Sequence, residues 1–216
     1  TFPFDREKIF NVHLETPSMQ EKEKFVMTYM KRMTEETLDI ETPEGKKNFI
    51  RNLVATNIVM EGIWFYSGFM VALSFRQRNY LRNFGSMVDW VLRDESLHLK
   101  FGISLIQTVL EENLDLLTED FANEIRQLII EGVRIENNYN QDLFPNGILG
   151  LNADYVNQYV QYVADRRLQE LGLPKEFNVT NPAKWMSTAT DVLELVNFFE
   201  QQNTKYEVDS GHTEKK

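Results

Sequence analysis

Apolar residues return every three or four positions along most of this chain, a spacing that predicts helices. Pro17-Ser18 opens one such run, through Met19, Phe25, Val26, Tyr29, Met30 and Met33. Thr42-Pro43-Glu44-Gly45 reads as a turn and a helix start, with Thr as cap and Pro in the first turn. A long helix is expected over about 46–79, unusually apolar in its second half. Gly85 and Ser86 stand near the start of the next, expected over 87–113; 115–118 reads as a loop and 119–139 as a further helix. Pro145-Asn146-Gly147 breaks the pattern. Asn152-Ala153-Asp154 then caps a helix to Leu171, which Gly172-Leu173-Pro174 stops. After Pro182 the periodicity fades, and from Gln201 the chain is polar and expected to be a mobile tail. No stretch alternates as a strand would and none repeats, so the class is all-α, with one core-forming domain.

Charge narrows the function. A formal net charge of −10 and a pI near 4.9 leave no basic footprint for nucleic acid. The chain has no cysteine, which excludes disulfides, thiolate metal sites and cysteine nucleophiles and is compatible with a cytoplasmic location. The first residues, Thr1-Phe2-Pro3-Phe4-Asp5, have no secretory pattern, and the missing initiator Met suggests a start within a longer product or a processed chain. Ile58 to Phe75 approaches the length of a membrane span, but Glu61 inside it and Arg76 and Arg78 after it favour a buried core helix, with no membrane role.

Two segments carry candidate chemistry: Met60-Glu61-Gly62-Ile63-Trp64-Phe65-Tyr66 and Arg93-Asp94-Glu95-Ser96-Leu97-His98. Glu95 and His98, at i and i+3, leave one face of a helix and can converge on one cation. Glu61 stands in the most apolar stretch, where a carboxylate must be protonated, paired with Arg51 or Arg93, or bound to a metal. The 34 residues from Glu61 to Glu95 correspond to two antiparallel helices measured to a common level. Glu-x-x-His alone is common by chance, but with a second buried acid it matches half of a dimetal carboxylate site. Oxygen donors with one imidazole per metal suit iron or manganese. A complete set needs about six ligands. His13 and His212 do not extend it, because Phe10 stands three residues before His13 and His212 lies in the polar tail. Other ligands must come from elsewhere.

At these residues the sequence resembles the small subunit of class I ribonucleotide reductase. The likeness continues through Asp142-Leu143-Phe144, Gly150-Leu151-Asn152, Tyr159-Val160-Gln161-Tyr162 and Asn181-Pro182-Ala183-Lys184-Trp185, in order. The resemblance implies the C-terminal half of a ferritin-like helical bundle over 1–196, followed by a flexible tail over 197–216. It implies Glu61, Glu95 and His98 as metal ligands, with Glu95 bridging, and Asp94 as the acid behind a ligand histidine. Without it, Asp94 reads equally as a surface ion pair with Arg93 or Lys100. Phe65, Phe69 and Val91 match the apolar pocket that shields a radical; taken bare, they are core residues. Glu200 and Tyr206 match the proton acceptor and redox tyrosine of a relay, where an unaided reading gives an ordinary tail tyrosine.

The same resemblance implies a dinuclear centre, iron first, with manganese-iron and manganese pairs open. This centre would activate dioxygen and generate an oxidising equivalent for a large catalytic subunit that makes deoxyribonucleotides. Partners would be that subunit, a complementary N-terminal part bearing the remaining ligands, and a second small subunit. Three departures stand against the pattern. The first half of the ligand set and the radical tyrosine are absent, the chain begins just past the radical helix as if the subunit were split, and it ends in a short basic Gly211-His212-Thr213-Glu214-Lys215-Lys216. The alternatives are a dimetal oxidase or oxygenase of the same architecture, and an iron-storage or structural helical protein. The first has no need of a Glu200 and Tyr206 relay, and storage would require a shell-forming assembly.

Overall fold

The structure is a computed structural model and describes residues 5–35 and 39–186. The helices run in the order α1 (Arg6–Glu15), α2 (Pro17–Glu35), α3 (Pro43–Leu53), a π-helical segment (Val54–Trp64), α4 (Phe65–Gln77), α5 (Arg82–Glu112), α6 (Glu119–Leu143) and α7 (Ala153–Glu170). A single 3₁₀ turn, Leu114–Leu116, joins α5 to α6. Among the described residues the one β feature is an isolated bridge between Ile148 and Leu151. The all-α expectation therefore holds.

Capping chemistry sets most boundaries. Thr42, Thr118 and Asn152 each accept a backbone N–H three residues on, from Gly45, Phe121 and Tyr155. Past α7, Leu173 N–H reaches Leu168 carbonyl while Gly172 takes a φ of 75°. That closure leaves the last carbonyls satisfied and needs a residue free to turn left-handed.

The structure differs from the expected pattern in three places. Helix α1 was not anticipated, because its apolar residues Ile9, Phe10, Val12 and Leu14 do not form one stripe and stay exposed. Helix α5 starts at Arg82, five residues early, because Leu81 turns left-handed at φ 48° and lets the helix begin at once. The long helix has a π-helical middle, seen in the Phe65 N–H to Met60 carbonyl bond, that 3.6-residue periodicity could not announce.

Pro43–Gln77 forms the axis of the bundle. Its π-helical segment packs against α2, α5, α6 and α7, and Val54, Ile58, Val59 and Ile63 have no exposed surface. A helix that is apolar on every side belongs in a core. The stretch is long and apolar enough to cross a membrane, yet 61% of its apolar window is buried inside the protein. It is the core helix the sequence suggested.

Two devices fix how α4 and α5 meet. Their connection is short, and the Arg76 guanidinium binds the Asp89 carboxylate, with Nη2 to Oδ1 at 2.9 Å. Arg76 can lie that close because Gly85 has no Cβ, which would otherwise come within 2.7 Å of it. With the hairpin clamped, Glu61 lies 16 residues before Gln77 and Glu95 lies 13 after Arg82. At about 1.5 Å per residue these are comparable heights along neighbouring helices.

Candidate metal centre

The hairpin brings Glu61, Glu95 and His98 together, with one ligand atom from each within 4.8 Å of the others. Glu61 comes from the π-helical segment, and Glu95 and His98 from successive turns of α5. His98 Nδ1 lies 3.3 Å from Glu95 Oε2. Glu61 and Glu95 are partly buried, while the His98 side chain is 59% exposed.

Electrostatics favour a cation here. Burial, and then the neighbouring Glu95 carboxylate, push the Glu61 carboxyl above its ordinary range. A hydrogen bond from Asn57 Nδ2 to Glu61 Oε2 at 3.0 Å, and the nearby His98, pull it the other way. Two carboxylates facing each other in a half-buried site are relieved by a shared positive charge. Two acids and one imidazole within 4.8 Å fit a single ferrous or manganous ion. Three ligands fall short of the roughly six that a dinuclear centre takes.

The surroundings hold these side chains in place. Arg51 pairs with Glu44 and Glu124, so it is not the partner of Glu61. Tyr66 donates to Ser96 Oγ at 2.8 Å, which itself donates to Leu92 carbonyl, bracing α4 on α5 one residue past Glu95. Arg167 of α7 is buried, donates from Nε to Gly62 carbonyl at 3.0 Å, and stacks over the Tyr66 ring. It satisfies a carbonyl next to Glu61 in the widened π-helical turns. Sequence reasoning missed Asn57 and Arg167. Asn57 left a signal, since it stands four residues before Glu61; Arg167 left none, because its partner is 105 residues away.

Phe65, Phe69 and Val91 line one apolar depression of about 400 Å³, with Trp64, Ala72 and Val88. Phe69 is buried, but Phe65 and Val91 are 39% and 49% exposed, so the description of all three as core residues fails for two of them. Their outer sides are uncovered among the described residues. Asp94 is exposed on α5 beside Glu95. Glu200 and Tyr206, with the whole 197–216 tail, lie outside the described residues.

Known proteins share this fold and much of this sequence. The profile of the family "Ribonucleotide reductase, small chain" matches residues 2–182. The ribonucleoside-diphosphate reductase subunit beta of Chlamydia pneumoniae is 40% identical over 203 residues, 94% of this chain and 59% of that one. The ribonucleoside-diphosphate reductase small chain of Acanthamoeba polyphaga mimivirus is 30% identical, over 98% of this chain and 46% of its own. Among solved structures, the ribonucleotide reductase R2 subunit from Clostridium botulinum superposes with a TM-score of 0.76 at 29% identity, covering 88% of this chain and 58% of its own. The chain thus spans about half to three fifths of the length of these relatives.

Proposed function

Because the chain belongs to the ribonucleotide reductase small-chain family, we propose that it forms one part of the radical-generating subunit of a ribonucleoside-diphosphate reductase. The observation that carries this reading is the convergence of Glu61, Glu95 and His98 on one point. A dinuclear iron or manganese centre held there, when bound, supplies one-electron oxidising chemistry with dioxygen. Glu61, Glu95 and His98 would hold one side of it, and the remaining ligands would come from a complementary N-terminal part. Asn57 fixes one oxygen of Glu61 and leaves the other free to bind. Phe65, Phe69 and Val91 keep water from the oxidising side once their outer faces are covered. Asp94 and Glu200 hold protons along the exit route, and Tyr206 carries the oxidising equivalent to the large catalytic subunit. The small subunit works as a dimer.

Joining the chain to its complementary part and measuring bound metal, with electron paramagnetic resonance of the loaded protein, tests this. Glu95→Ala should reduce bound iron or manganese to less than half of the unmodified value; full loading would overturn the proposal. Tyr206→Phe should leave loading unchanged and abolish ribonucleotide reduction with the large subunit. A relative acting on an organic substrate would keep its turnover.

A further inference from the structure

Trp64 stands three residues after Glu61 in the π-helical segment, lines the apolar depression with Phe65, Phe69 and Val91, and is the one readily oxidised side chain in that lining. An indole so placed is a natural sink for an oxidising equivalent. The structure sets over it a cation that opposes electron loss. Lys22 Nζ stands 4.6 Å from the centre of the Trp64 ring and 4.3 Å from that of Tyr139. A cation over an aromatic face is attracted to its electrons and repels the positive charge that oxidation would leave. Trp64 is itself buried, so water screens that repulsion little. The ammonium is held at 2.5 Å by the buried Glu136 carboxylate, which fixes it over both rings.

The indole N–H is also blocked. Trp64 Nε1 donates at 2.9 Å to the Gly132 carbonyl, which has no capacity to take the proton. That bond depends on close helix packing, since a Cβ at Gly132 would fall 2.4 Å from Val59 Cγ1. We propose that Lys22 makes Trp64 a poor electron donor, while the Gly132 carbonyl keeps an oxidised ring from shedding its proton, so that the oxidising side of the site is insulated from a dead-end indole. Lys22 is thus a positioning residue acting through Trp64. The electrostatic claim stands on this chain alone; its use in sparing an oxidant rests on the proposed function.

The test uses the metal-free full chain carrying Trp90→Phe and Trp185→Phe, which leaves Trp64 as the only indole of three. Ruthenium(III) tris-bipyridine, photogenerated with persulfate as the electron acceptor, takes one electron from the ring, giving ruthenium(II) and the indole radical cation, followed by its visible absorption. Lys22→Met should raise the rate of Trp64 oxidation about tenfold, the size of a partly buried cation–π contact, and Lys22→Arg should leave it near the starting rate. An unchanged or slower rate in Lys22→Met would overturn the inference. Should Lys22→Met not fold, Glu136→Gln decides: it removes the counter-charge and keeps the cation, so oxidation should slow, and an equal or faster rate sinks the idea. Metal loading plays no part in these readings, so a failure here is separable from failure of the metal site.

Discussion

Glu61 is a carboxyl group whose charge the folded chain disfavours, chiefly by burial and then by Glu95. Its folded pKa lies above the unfolded value, so the folded state holds the proton more tightly. The metal-free protein is then most stable at low pH with respect to this group, and that stability is lost as pH rises from about 4.5 through the folded value. Glu61→Gln should therefore raise the melting temperature of the metal-free chain at neutral pH. The gain should shrink toward pH 4, and scanning calorimetry at the two pH values checks it. An equal gain at both would mean the charge is not the cause. At this scale the sequence was informative: an i, i+3 acid–imidazole pair and an acid in an apolar run are local patterns. The Arg167 bond to Gly62 carbonyl was hidden, because tertiary folding alone brings those residues together.

Among the elements, the π-helical segment and α6 pack most closely where Val59 meets Gly132. Both are buried, and neither helix can yield without disturbing the turns that carry Glu61 and Trp64. Gly132→Ala should destabilise the chain by about 1–3 kcal/mol, the cost of overpacking, read as a lower urea midpoint. It should also disturb the Trp64 N–H bond, shifting the indole emission. Loss of stability without an emission change would show that the helices slide rather than separate. Helix existence was legible here, since Thr42, Thr118 and Asn152 are caps with a local mechanism. The π-helical turns were not. They are stabilised by packing on all sides and by a buried arginine, neither of which leaves a period in the sequence.

For the whole molecule, the telling feature is what α5 leaves open. Met87, Trp90, Leu97 and Phe101 are 58–68% exposed on the helix that also bears Glu95 and His98. Exposed apolar surface of that extent marks an association face. The chain purified alone should elute larger than its 25.4 kDa on sizing chromatography, and Phe101→Lys should shift it toward the monomer. A native monomer at all concentrations would show that the face needs no cover. The open face also bounds what the sequence could reveal: three candidate ligands were visible because they share one hairpin, whereas what covers this face leaves no local pattern.

That hairpin has a kinetic consequence. Glu61 and the Glu95–His98 pair are tethered through the short connection between Gln77 and Arg82, whose closure costs little chain entropy. Their search for one another is local and fast, whereas ligands on another segment must arrive by diffusion or long-range folding. On the proposed reading, a first cation would thus be captured by this hairpin before any further ligand arrives.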